Sequence, residues 1–94
     1  MYKLLISKKA LKFIKFCSRS ERNLIKLKLA LLIEDPYSSH LDIKKLKGQE
    51  SLFRLRIGKY RFIYQVKNME LLILILKVGT RGDVYKWLST GKID

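Results

Sequence analysis

Residues 52–81 read LFRLRIGKYRFIYQVKNMELLILILKVGTR, three apolar runs separated by Gly58-Lys59 and by Lys67-Asn68-Met69-Glu70. Short apolar runs punctuated by such turn signals predict an antiparallel meander, and no other stretch constrains the fold as tightly. On a strand, alternate side chains leave opposite faces, so Arg54 and Arg56 share one face while Phe53, Leu55 and Ile57 share the other. A two-residue loop with Gly58 at its first position pairs Ile57 with Tyr60, Leu55 with Phe62, and Arg56 with Arg61. Like charges set directly opposite cost from a few tenths of a kcal/mol to about 1 kcal/mol, which a fold tolerates more readily where the pair holds an anion. The third run, 71–78, is continuously apolar, as expected of an interior strand covered on both faces. Counting back from its turn, Val66 opposes Leu71, which puts Leu72, Leu74 and Leu76 on the Arg61 side.

Upstream, residues 2–6 form a short apolar strand, and Ser7 is placed to cap a helix over about 8–17. Leu11, Ile14 and Cys17 fall at helical spacing there, with Lys8, Lys9, Lys12 and Lys15 turned to water. Ser18 and Glu21 form a capping-box pattern opening a second helix, whose expected apolar stripe is Leu24, Leu27, Ala30 and Leu31. Asp35-Pro36 ends that helix, since the residue before proline is pushed out of the helical region. Residues 37–42 read as a polar connection, and 43–48 as a basic lead into the meander. Gly79 and Gly82 bracket Arg81 and allow the backbone to leave strand geometry. Residues 83–88 fit either a last helical turn or an extended segment. The expected architecture is α+β: one domain over 1–94, in β-α-α-β-β-β order. Its small antiparallel sheet of about four strands has the N-terminal strand and the α-helical hairpin packed on one face.

Composition narrows the function. Twenty-one Lys and Arg against 8 Asp and Glu give a formal charge of +13. Self-repulsion on that scale usually answers a polyanion, an anionic membrane or an acidic protein partner. No apolar run is long enough to span a bilayer, and no signal-peptide pattern opens the chain, so a cytoplasmic protein without a membrane is expected. The single cysteine, Cys17, fits a reducing compartment and sits among apolar residues as a small core side chain. His40 stands alone, with no second histidine or cysteine at ligand spacing, so neither a metal nor another cofactor is expected. There is no glycine-rich phosphate loop and no internal repeat.

The side chains suited to chemistry are Arg54, Arg56, Arg61, Arg81 and Tyr85. Guanidinium forks suit phosphate oxygens, and an aromatic nearby can stack an unpaired base, so the set points to nucleic-acid binding at a phosphodiester. The plainer alternative is that these arginines cover sheet edges and pair with scattered acids while Tyr85 and Trp87 pack.

The run Leu46-Lys47-Gly48, then Phe53-Arg54-Leu55-Arg56-Ile57-Gly58, Tyr60-Arg61-Phe62-Ile63-Tyr64, and Val78-Gly79-Thr80-Arg81 with Asp83-Val84-Tyr85, resembles the RelE/ParE superfamily of bacterial and archaeal toxins over nearly the whole chain. The RelE branch of that superfamily implies a ribosome-dependent endoribonuclease that cuts mRNA in the A site. The nucleotide's own 2′-hydroxyl attacks the adjacent phosphate without a metal. By this resemblance Arg54 and Arg56 match the two basic residues of the second strand, where several members carry lysine. Arg61 and Arg81 match phosphate-binding arginines, and Tyr85 the C-terminal tyrosine that stacks on the substrate or exchanges a proton with it. The implied partners are a cognate antitoxin protein and the ribosome with its mRNA, contacted through the basic surface. Two alternatives stay open: a ParE-like inhibitor of DNA gyrase, and a catalytically silent relic that binds only its antitoxin. Arginine stays charged where lysine can yield a proton, so Arg54 and Arg56 are expected to stabilise charge, leaving Tyr85 to move the proton.

Overall fold

The computed structural model describes residues 1–46, 48 and 51–90. Its elements run β1 (Lys3–Ile6), α1 (Lys8–Lys15), α2 (Arg19–Glu34), β2 (Asp42–Lys45), β3 (Leu52–Ile57), β4 (Tyr60–Lys67), a 3₁₀ turn (Asn68–Glu70), β5 (Leu72–Thr80) and α3 (Arg81–Ser89). Lys47 of the Leu46-Lys47-Gly48 motif and the terminal Asp94 lie outside the described residues.

The meander forms as expected. β3 and β4 pair with Ile57 opposite Tyr60, Leu55 opposite Phe62 and Arg56 opposite Arg61. Gly58 turns the hairpin at φ +58°, a conformation that costs a residue with a Cβ about 1 to 2 kcal/mol. Between β4 and β5 the register differs from expectation: Val66 opposes Ile73 rather than Leu71. The 3₁₀ turn and a left-handed Leu71 take up the two extra residues. A shift of two keeps the faces, so Leu72 and Leu74 still lie on the Arg61 side. A bulge at Ile63/Tyr64 then sets Lys77, not Leu76, opposite Ile63.

The sheet has five strands in the order β1-β5-β4-β3-β2, where about four were expected. The addition is β2, antiparallel to β3. It has one apolar residue in four, and lysines on an edge strand discourage further pairing, so it carries none of the alternation that reveals a strand. β1 runs parallel to β5, making the sheet mixed rather than antiparallel. The backbone bonds Lys3 N–H to Leu71 O at 2.7 Å and Ser7 N–H to Ile75 O at 2.9 Å close that pair. As expected β5 is interior, and residues 81–89 resolve into helix α3.

Both N-terminal helices are capped by the serines read from sequence. Ser7 accepts from the Ala10 N–H, and Ser18 and Glu21 close a full capping box. The buried row of α2 is nevertheless Ile25, Leu29 and Leu32, while Leu24, Leu27, Ala30 and Leu31 are exposed. Two apolar rows at helical spacing lie side by side on α2, and the one in line with Glu21 is the one that packs on the sheet. The Glu21 carboxylate accepts from the Tyr60 hydroxyl at 3.0 Å on that face. Leu11 of α1 is likewise exposed, whereas Ile14 and Cys17 pack inward as expected, joined by Ala10 and Phe13. The helix hairpin and the sheet enclose Leu55, Ile57, Phe62, Tyr64, Val66, Ile73, Ile75 and Val78. Tyr64 is fully buried, and its hydroxyl donates to the Pro36 carbonyl at 2.7 Å, fixing the exit of α2.

Candidate functional site

Sheet pairing lays the charged residues out in rows on the face away from the helix hairpin. Directly opposed residues share a face, so one row is Asp42, Arg56, Arg61 and Gly79, and the next is Lys44, Arg54, Ile63 and Lys77. At Gly79 the chain has no side chain to clear. A Cβ there would stand 3.2 Å from the Asp83 Cβ, so the glycine serves the close approach of the first turn of α3. Between Gly79 and Gly82 the backbone leaves strand geometry as expected, β5 ending at Thr80 and α3 beginning at Arg81, and it does so without a positive φ at either glycine.

α3 runs back over the sheet with Val84 buried against it. Tyr85 and Leu88 then face Lys44, Lys45 and Leu46 of the β2 edge across an open cleft of about 150 Å³, with Arg54, Arg61 and Ile63 completing the lining. An enclosed small-molecule site usually has about 300 to 1,000 Å³. This cleft suits part of a polymer laid along the surface, with a base left outside against the half-exposed Tyr85 ring.

Arg54 is largely enclosed: 16% of its side chain is exposed, and one amine of its fork meets Asp42 Oδ1 at 3.0 Å. Its Nε is buried with no partner among the described residues. Arg56 lies outside the cleft lining; its Nε donates to the Gly58 carbonyl of the turn at 3.3 Å. Arg81 and Tyr85 sit four apart on α3 and therefore on one face, with the guanidinium carbon 5.3 Å from the ring centroid. Among the described residues the carboxylates within ion-pair distance of a cation are Asp42, on Arg54, and Glu21, on Lys59. Lys44, Arg56 and Arg81 are exposed and Arg61 is half-buried, and none of the four has a described acid within ion-pair distance.

The Arg81 guanidinium beside the Tyr85 phenol holds it below its ordinary value, burial opposes, and Lys44 and Arg54 add to the lowering. A phenol so placed gives up its proton more readily than a free one. Sequence reasoning therefore located Arg54, Arg61 and Tyr85 in one cleft with Arg81 at its rim. It missed Lys44, which only the pairing of β2 with Arg54 brings in. The lining offers cations, a phenol and apolar groups, a donor set that attracts phosphate and repels a divalent metal.

Comparison with known proteins gives a consistent picture. Residues 4–85 match the family model described as "ParE toxin of type II toxin-antitoxin system, parDE". The RelE1 protein of Methanocaldococcus jannaschii is 35% identical over 82 residues, covering 86% of this chain and 91% of that protein. The fold superposes on RelE in an archaeal RelE–RelB complex from Pyrococcus horikoshii OT3 with a TM-score of 0.77 and 30% identity, over 86% of this chain and 96% of that one. The isolated E. coli RelE toxin matches with a TM-score of 0.73 and 25% identity, over 97% and 98%.

Proposed function

The chain belongs to the RelE/ParE superfamily of type II toxin–antitoxin toxins, and on that premise we propose that it is a ribosome-dependent endoribonuclease of the cytoplasm. The observation that carries this reading is the grouping of Arg54, Arg61 and Tyr85 in one cleft, with Arg81 stacked on the phenol. In the proposed reaction a ribose 2′-hydroxyl of A-site mRNA attacks the adjacent phosphorus. Its oxygen–phosphorus bond forms, the bond to the 5′-oxygen breaks, and a cyclic phosphate and a free 5′-hydroxyl are left. The phosphorane in between carries extra negative charge, which Arg61 and Arg81 stabilise in place of water. Arg54 and Arg56 cannot serve as base because guanidinium keeps its proton. Tyr85, with its proton affinity lowered by Arg81, is the group that moves the proton. No metal enters the scheme.

The proposed protein partner is a cognate antitoxin, as in the RelE–RelB complex that this fold resembles. An acidic or amphipathic segment over the basic face would silence the cleft. A purified complex that leaves Arg56 and Arg61 fully open would move inhibition elsewhere. The match to a ParE family model favours a second reading, inhibition of DNA gyrase. Expression of the free protein separates them: arrest of translation supports the nuclease, and DNA damage supports gyrase inhibition. The decisive experiment maps cuts by primer extension on a translated mRNA, wild type beside Tyr85→Phe. Cuts within codons at the A site, lost in the variant, are expected; a wild type that cuts no ribosome-bound message overturns the nuclease reading.

A further inference from the structure

We propose that Lys44 is a substrate-contacting residue of this cleft, the cation of the β2–β3 pair that meets an RNA phosphate while Arg54 beside it is held by Asp42. The inference rests on the nuclease reading for its place in a reaction, but not for its binding arm.

The geometry separates two cations that stand opposite each other. Lys44 and Arg54 are in register across β2 and β3 and share the cleft face. Arg54 reaches diagonally to Asp42, two positions along β2 from Lys44, and that ion pair ties the edge strand to its neighbour. A guanidinium whose charge is already met by a carboxylate has less to offer an incoming phosphate. Lys44 has no described acid within ion-pair distance, lies exposed, and acts on Tyr85 through its charge. The Asp42–Arg54 pair therefore places β2 so that an uncommitted ammonium faces the phenol. Protection of an edge strand against pairing is the ordinary use of a lysine there, and Lys45, the next residue of β2, already supplies one.

The test compares Lys44→Ala, Lys44→Arg and, as a control for lost charge on the opposite side of the sheet, Lys12→Ala. Cleavage of mRNA on programmed ribosomes is measured beside binding of a single-stranded RNA oligonucleotide at several salt concentrations. Loss of a charge-assisted contact predicts roughly 10- to 100-fold slower cleavage for Lys44→Ala. The salt slope of binding should flatten by about 0.7, one phosphate contact on a single strand. Lys44→Arg should recover most of both, Lys12→Ala should leave the cleavage rate unchanged, and all should melt with the wild type. If the wild type cuts and Lys44→Ala cuts equally, or the salt slope does not change, the proposal is overturned. A melting loss in Lys44→Ala that accounts for its defect overturns it as well. If the wild type cuts nothing, the nuclease reading fails by itself, and the salt slope alone decides whether Lys44 meets phosphate.

Discussion

Replacing Arg81 by alanine removes two things at once: a cation at the mouth of the cleft and the guanidinium 5.3 Å from the Tyr85 ring. Loss of one preorganised donor from a charged transition state costs about 2 to 4 kcal/mol. That corresponds to a rate lower by roughly 30- to 1,000-fold. Arg81 is exposed at the first position of α3, so water screens it, and the loss belongs toward the lower end, on the order of 10²-fold. The second consequence is a displaced pH profile. Arg81 is the first cause of the lowered Tyr85 pKa, so without it the phenol moves up toward its ordinary value. If the phenolate takes the 2′-hydroxyl proton, the rise of rate with pH should begin at higher pH in Arg81→Ala than in the wild type. The assay is single-turnover cleavage of ribosome-bound mRNA across pH, with Arg81→Ala, Tyr85→Phe and the double variant. Residues acting as one unit give non-additive losses, so the double variant should be only slightly slower than the slower single one. Normal cleavage by Arg81→Ala removes it from the mechanism. A large loss with an unshifted pH profile would leave it a phosphate contact and refute its hold on the phenol.

Three stability predictions test the packing behind the site. Leu32→Ala, at a fully buried position, should cost about 2 to 5 kcal/mol and lower the melting temperature by roughly 10 °C or more, whereas Leu27→Ala, at 58% exposed, should stay within about 0.5 kcal/mol. Equal losses would contradict the rotation of α2 that buries Leu32 and exposes Leu27. Tyr64→Phe strands the Pro36 carbonyl in the core and should cost about 1 to 3 kcal/mol, read from the urea midpoint; no change would mean that water or another donor replaces the hydroxyl. Burial, and then the bond to Glu21, push the Tyr60 phenol up to about 12. A proton held more tightly in the folded state contributes stability that is complete below the unfolded value near 10 and lost as pH rises toward 12. Melting followed across that window should show a smaller alkaline loss in Tyr60→Phe than in the wild type, and parallel curves would refute the link.

The elements that were legible in the sequence are those whose own residues carry the signal. The β3–β4 hairpin was fixed to the residue because Gly58-Lys59 admits one register, and both helix starts followed from serines at capping positions. What escaped depends on partners distant in the chain. β2 is a strand only because β3 offers an edge to Asp42–Lys45, and the parallel pairing of β1 has no signature in four residues. The core row of α2 was misread because helical spacing alone cannot rank two adjacent apolar rows. Glu21 stands in line with the buried row and bonds Tyr60 of β4, a contact 39 residues away that the spacing within α2 does not show.

The site divides along the same line. Arg56 and Arg61 face each other because a local turn sets them so, and the sequence therefore shows the repulsion between them. It does not show which partners the guanidinium groups find. The Arg56 Nε donates to the Gly58 carbonyl, and Asp42 arrives from an unanticipated strand to hold Arg54. Acidic residues are scarce in this chain, and Asp42 is spent on the largely enclosed Arg54 rather than on the exposed Lys44 and Arg81. That allocation follows from burial: an unpaired guanidinium costs most where water is excluded, and least at the rim. The exposed cations stay free for an anion because water tolerates them there. A phosphate entering the cleft would therefore meet Lys44 and Arg81 before it met Arg54, an order that a count of arginines in the sequence could not supply.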